Sequence, residues 1–233
     1  MNRQIICALD TPDLNEAIGV TRRLSPYVGA FKIGHALTLA HGLGVLDTLR
    51  DAGASRIFLD LKFHDIPNSV AIAVAEAARR GVWMMTLHIS GGPAMLSAAV
   101  EAVSEYSENE RPLLVGVSVL TSLDEATLTE TLAVSRSLED QMVSLSKLAM
   151  QCELDGVVCS AHEIKPLRAA IGPRGVIVTP GIRIAAGDHH DQKRVGDANQ
   201  ALADGADYLV IGRALTGVSD PVATLAGLGL VHA

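Results

Sequence analysis

Eight short runs rich in aliphatic and β-branched residues recur along the chain, with amphipathic sequence between them. The runs lie at 4–9 (QIICAL), 28–33 (VGAFKI), 57–62 (IFLDLK), 83–89 (WMMTLHI), 113–120 (LLVGVSVL), 155–159 (DGVVC), 175–179 (GVIVT) and 207–211 (DYLVI). Stretches at helical spacing include 13–25, 69–80, 138–153 and 193–204. Strand and helix alternating along a whole chain predict parallel strands joined by crossover helices. Eight such units in 233 residues fit a closed (β/α)8 TIM barrel of the α/β class, one catalytic domain over 1–233. The alternative is an open doubly wound sheet. That fold would carry a GxGxxG turn after its first strand, whereas ALDTPD stands there in this chain. Polar SEYSENER at 104–111 reads as a surface connection.

A hydrophobic content of 48% against 19% charged residues is enough for a large buried core. No apolar run reaches the roughly 18 residues that a membrane-spanning helix needs. The opening MNRQIICALD enters a strand without the apolar core and cleavage site of a signal peptide, so a cytoplasmic location is expected. Cys7, Cys152 and Cys159 sit in or beside apolar segments without CxxC spacing, which predicts reduced, buried thiols and no metal site. A net charge of -7 argues against a nucleic-acid partner, and 3% aromatic residues leave little for base stacking.

Strand 57–62 carries an anomaly. FLDLKFHDIP at 58–67 has charges where a buried strand should be apolar. Side chains alternate along a strand, so Phe58, Asp60 and Lys62 are expected on one face and Ile57, Leu59 and Leu61 on the other. Asp60 and Lys62 would then stand roughly 6.6 Å apart. Other strand ends are polar too: Asp10, Lys32, His88, Thr121 with Ser122, Ser160 and Arg213. Barrel active sites form at this C-terminal rim. Isolated buried charge is costly, so Asp60, Lys32 and Lys62 are expected to neutralise one another. A structural ion pair plugging the barrel mouth is the plainer reading. Polar groups at so many strand ends favour an active site.

These residues resemble a known family. DLKFHDIPNS (60–69) is similar to the DxKxxDIPNT signature of the orotidine 5'-phosphate decarboxylase family. The resemblance extends through ALD (8–10), FKIG (31–34), VLTSL (119–123), GVVCSAHE (156–163), TPGIR (179–183), DQKR (191–194) and GADYLVIGR (205–213). It implies conversion of orotidine 5'-phosphate to uridine 5'-phosphate in pyrimidine biosynthesis, without metal or organic cofactor. It implies that Lys32, Asp60, Lys62 and Asp65 form an alternating catalytic network, with Asp65 lent by the second subunit of a homodimer. It also implies ribose contacts from Asp10, Lys32 and Ser69. Thr121 and Ser122 would lie along the pyrimidine, and Ile66 beside the departing carboxylate. Arg183, Gln192, Gly212 and Arg213 would hold the phosphate. Departures from the pattern are Ser69 in place of Thr, Ile184 and Ala214 in place of Pro, and VGD at 195–197.

The residues accord with that chemistry. Loss of CO2 from a ring carbon without an adjacent carbonyl leaves a poorly stabilised carbanion, and no cofactor fingerprint offers an electron sink. Preorganised charge must serve, with Lys62 stabilising the carbanion and then protonating it. Lys32, Lys62, Arg183 and Arg213 at one rim suit a substrate bearing phosphate and carboxylate. Segment 181–193 (GIRIAAGDHHDQK) reads as a lid, and its HHD as solvated loop residues rather than metal ligands. His64 reads as a spacer and His88 as a hydrogen-bond partner rather than a base. One rival is the magnesium-dependent 3-keto-gulonate 6-phosphate decarboxylases, which share DxKxxD but place an acidic metal ligand where this chain has Lys32. The other is a non-catalytic nucleotide-sensing barrel, which would be expected to lack one of the four charges.

Overall fold

All eight apolar runs become strands, and they close on themselves. The computed structural model describes residues 2–182 and 197–230. Its strands are β1 (Asn2–Leu9), β2 (Val28–Ile33), β3 (Ile57–Phe63), β4 (Met84–His88), β5 (Leu113–Val117), β6 (Gly156–Val158), β7 (Val176–Thr179) and β8 (Tyr208–Ile211). Every neighbouring pair is parallel, in sequence order, and β8 pairs with β1. The structure is the expected closed (β/α)8 barrel and not the open sheet. The connections carry α1 (Leu14–Leu24), α2 (His35–His41), α3 (Val45–Asp51), α4 (Pro67–Arg79), α5 (Pro93–Glu101), α6 (Leu138–Gln151), α7 (Ile164–Ile171) and α8 (Ala198–Asp204); α9 (Arg213–Thr216) and α10 (Pro221–Gly227) follow β8. Among the described residues no helix is long and apolar enough to cross a membrane.

Strand alternation sorts the core into two parts. Ile6, Ala8, Ala30, Phe58, Met84, Val115, Val178 and Val210 fill the barrel interior. Ile5, Cys7, Leu9, Ile57, Leu59, Met85 and Leu209 face the helices in the larger cluster. Trp83 packs edge-on against Tyr208 with ring centroids 5.1 Å apart, and the Arg56 guanidinium lies 4.3 Å over the Trp83 ring. These three residues lie at the N-terminal ends of the strands. The opposite rim is the end at which strands deliver polar side chains.

Several boundaries differ from expectation for identifiable reasons. The runs 155–159 and 207–211 begin as strands one residue late, because their aspartates serve the preceding strand. Asp155 accepts the Leu114 N–H at 2.7 Å and pairs with Arg111, and Asp207 accepts the Ile177 N–H at 2.8 Å and pairs with Arg168. The run 83–89 loses Ile89 to a short 3₁₀ turn (Ile89–Gly91), and 113–120 leaves the sheet after Val117. In 13–25, Asp13 is a cap rather than a helical residue, accepting the N–H groups of Asn15 and Glu16. The helix expected at 69–80 starts two residues earlier at Pro67, whose fixed φ suits a first turn. Helix 138–153 ends at Gln151, and of 193–204 the described part is helical from Ala198.

Candidate active site

The site begins with a buried carboxylate. Asp60 stands on the inward face of β3 one step above Phe58, and its side chain is 14% exposed. Taking such a charge from water is costly without partners. Two lysines answer it. Lys32 of β2 places Nζ 3.4 Å from Asp60 Oδ2, and Lys62 places Nζ 2.8 Å from Asp60 Oδ1. Lys32 Nζ also lies 2.8 Å from Oδ1 of Asp10, one residue beyond β1. Asp10, Lys32, Asp60 and Lys62 therefore form one chain of alternating sign across three adjacent strands. The expected mutual neutralisation of Asp60 and the two lysines is present.

Burial pushes the Lys32 ammonium toward deprotonation, but the charges of Asp60 and Asp10 and their hydrogen bonds outweigh it, and the net shift is upward. Burial likewise opposes ionisation of Asp60. Lys32 and Lys62, with hydrogen bonds from Lys62 and Thr86, overcome it and hold the carboxyl below its ordinary value. Burial pushes the Cys7 thiol up to about 12, Asp10 adding to the rise and Lys32 opposing it, so this cysteine stays a neutral thiol.

The end of β3 is irregular, which corrects the expectation of simple alternation through Lys62. Leu59 pairs with Met85 of β4, yet the next pairing is Phe63 with Leu87, so β3 carries two extra residues. Lys62 sits there at φ 51, the left-handed region. For a non-glycine residue that conformation costs about 1–2 kcal/mol. Its N–H leaves the strand ladder and donates to Thr86 Oγ1 at 2.9 Å. Thr86 Oγ1 in turn donates to Asp60 Oδ1 at 3.0 Å. Thr86 was not anticipated from the sequence. Its one signal is parity: Met84, Thr86 and His88 share the inward face of β4.

The other expected site residues fall around this centre. Gly212 follows β8, where an added Cβ would lie 3.7 Å from Asp10 Oδ2, so that turn abuts the ionic chain. Arg213 is exposed at the start of α9. Thr121, half-buried, and Ser122, exposed, follow β5 at the same rim. Asp65 and Ser69 line a cleft of about 300 Å³ between the end of β3 and α4, together with Lys62 and His64. Ile66 is 67% exposed beside them. The Asp65 carboxylate accepts the Ile66 N–H at 2.6 Å and, among the described residues, makes no ion pair with Lys62. Arg183 and Gln192 lie outside the described residues, as do Ile184, HHD at 189–191, most of the expected lid and the first two residues of VGD.

His88 stands at the end of β4. Its ring packs on that of His64, with centroids 5.1 Å apart, and it has no hydrogen-bond partner among the described residues. Burial first, then His64 and the Lys62 charge, push the His88 imidazole below its ordinary value, while Asp60 opposes. No group of three or more His, Cys, Asp or Glu side chains among the described residues is arranged to hold a metal ion.

Known proteins resemble this chain in sequence and architecture. The pattern of the Orotidine 5'-phosphate decarboxylase / HUMPS family matches residues 3–228. Orotidine 5'-phosphate decarboxylase of Neisseria meningitidis is 46% identical over 222 residues, covering 95% of this chain and 89% of that protein. The enzyme of that name from Moorella thermoacetica is 46% identical over 223 residues, covering 94% and 88%. The crystal structure of orotidine 5'-phosphate decarboxylase from Lactobacillus acidophilus superposes with a TM-score of 0.83 at 32% identity, covering 97% of this chain and 96% of that one.

The charge pattern sets a pH dependence. Asp60 lies below its ordinary value of 3.8, so its ionisation stabilises the fold fully above that pH and the contribution is lost as pH falls through the folded value. Lys32 lies above 10.5, so its contribution is complete below that pH and is lost only as pH rises through the higher folded value. Asp60→Asn should therefore unfold in urea with about 2 kcal/mol less stability than wild type across the neutral range. The deficit should narrow as pH drops below about 4. A deficit that stays constant into strong acid would contradict the pairing.

Proposed function

The chain belongs to the orotidine 5'-phosphate decarboxylase / HUMPS family, and we propose that it converts orotidine 5'-phosphate to uridine 5'-phosphate in pyrimidine biosynthesis. The observation that carries this reading is the Asp10–Lys32–Asp60–Lys62 chain at the barrel rim. In the proposed step the bond between C6 and the carboxylate breaks heterolytically. The electron pair stays on C6 and CO2 leaves neutral. The Lys62 ammonium, held by Asp60, faces the developing negative charge and gives its proton to C6, leaving an amine that solvent reprotonates. A preorganised cation costs no reorganisation at the moment of reaction, so no electron-sink cofactor is called for.

The remaining residues take supporting roles in this reading. Asp10, Lys32 and Ser69 bind ribose hydroxyls, and Thr121 and Ser122 border the pyrimidine. Gly212 and Arg213, with Arg183 and Gln192, take the phosphate, where a guanidinium fork suits phosphate oxygens. Phosphate binding far from C6 supplies energy that organises the charged centre. Lys32, bonded to both Asp10 and Asp60, puts an ammonium where the magnesium-dependent relatives carry an acidic ligand. Turnover should be followed as the fall in ultraviolet absorbance of orotidine 5'-phosphate. Wild type should be equally active with and without chelator, and Lys62→Ala should lose at least about 10³ in kcat. Activity that vanishes in chelator and returns with magnesium would move the assignment to the metal-dependent branch.

The protein acts as a homodimer in this proposal, each subunit lending Asp65 to the other. Exposure of His64 to Asn68 and the absence of an ion pair between Asp65 and Lys62 of the same chain support it. So does the apolar surface at Ile66 and Ile72, 67% and 63% exposed in the single chain. Lys62→Ala and Asp65→Ala, each inactive alone, should be mixed and allowed to exchange subunits. Half the dimers are then mixed, and each has one intact site, so about a quarter of wild-type activity should return. Recovery of nothing would mean that Asp65 serves its own chain.

A further inference from the structure

Lys62 has an unusual backbone for a residue that must aim its side chain. It occupies the left-handed region at φ 51, within a two-residue slip of pairing between β3 and β4. L-residues avoid that region, so something must hold the chain there. The slip also takes the Lys62 N–H out of the ladder, and a backbone donor at a half-buried position needs an acceptor. Thr86 Oγ1 is that acceptor at 2.9 Å.

The same hydroxyl has a second duty. Its oxygen lies 3.0 Å from Asp60 Oδ1, which as a carboxylate oxygen can only accept. The hydroxyl proton is thereby committed to Asp60, and the Thr86 lone pairs are left for the Lys62 N–H. Asp60 Oδ1 also receives Lys62 Nζ at 2.8 Å. Three hydrogen bonds and one covalent link close a ring: the Lys62 backbone to Thr86, Thr86 to Asp60, Asp60 to the Lys62 ammonium, and the Lys62 side chain back to its own backbone. Both ends of the lysine are tied through one hydroxyl. Thr86 itself is 1% exposed on the regular strand β4, between Met84 and His88, so it is a rigid reference point.

We propose that Thr86 is the positioning residue for Lys62: it holds the left-handed backbone from which the ammonium reaches the reacting carbon, and it orients the carboxylate that steadies that ammonium. The proposal rests on the decarboxylase reading for its catalytic consequence, and on the hydrogen-bonded ring for its structural one.

Two variants separate them. Thr86→Val keeps the branched shape and removes the hydroxyl, whereas Thr86→Ser keeps the hydroxyl and removes a methyl group. Thr86→Val should lower kcat by about 10²-fold, the usual effect of displacing a catalytic group by about an ångström, with a much smaller change in KM. Thr86→Ser should recover most of that loss. Hydrogen exchange of the Lys62 amide, followed by NMR, supplies a readout that does not need turnover. Protection at Lys62 should fall in Thr86→Val and persist in Thr86→Ser, with other β3 amides unchanged. Thr86→Val with near wild-type kcat, or with an undiminished Lys62 amide, overturns the proposal. A rise in KM with kcat preserved also overturns it, because that reports binding. Wild-type protein that does not decarboxylate overturns the functional reading instead, and amide exchange still decides whether Thr86 holds Lys62. A Thr86→Val protein that loses protection at every amide has lost its fold, and the Thr86→Ser variant then decides: low kcat with a protected Lys62 amide counts against the role.

Discussion

The Asp60 carboxylate is the group on which the rest of the rim depends. It is an anion set above an apolar layer containing Phe58, Met84 and Ala8. A lone charge in that position would be protonated or would break the core. It remains ionised because Lys32, Lys62 and Thr86 all converge on its two oxygens. The dependence is mutual. Without Asp60 two ammonium groups would face each other across the barrel mouth, and Lys62 would lose the carboxylate that fixes its reach. The arrangement is thus a set of mutually required charges, and such sets occur where chemistry needs a fixed field in a water-poor space.

The barrel explains how one chain assembles this. Parallel closure puts the C-terminal ends of all strands at one rim, so Asp10, Lys32, Asp60 and Thr86 come from four consecutive strands and still touch. Outward-facing residues of those strands, among them Cys7, Leu59 and Met85, pack against the helices and hold the strands in place. Rigid strands can support a strained residue, and the end of β3 around Lys62 holds one. Function on this account resides in the rim, and the fold is the frame that makes the rim rigid.

Much of this was legible in the sequence, for physical reasons that differ from residue to residue. The eight strands were visible because each is a short apolar run buried on both faces. Asp60 and Lys32 were visible because a charge inside such a run demands an explanation. What escaped was the part that depends on neighbours. Thr86 reads as an ordinary β-branched strand residue until β3 and β4 are brought together. The two extra residues in β3 have no local signature, since Leu61 and Phe63 continue the apolar pattern. Asp155 and Asp207 looked like first strand residues because their role lies in hydrogen bonds to the adjacent strand. The ring contact between His64 and His88 likewise joins two segments that only the closed barrel brings together.

In the proposed reaction Lys62, held by Asp60, stabilises negative charge at C6 of a pyrimidine nucleotide and exchanges a proton with that carbon. Decarboxylation run in reverse from the product begins with removal of the C6 proton, so the claim can be tested without CO2. Uridine 5'-phosphate should be incubated with the protein in D2O and its C6 proton followed by NMR. Wild-type protein should exchange this proton for deuterium far faster than buffer does, and Lys62→Ala should not. A wild-type protein that binds uridine 5'-phosphate yet leaves the C6 signal decaying only as fast as in buffer would contradict it.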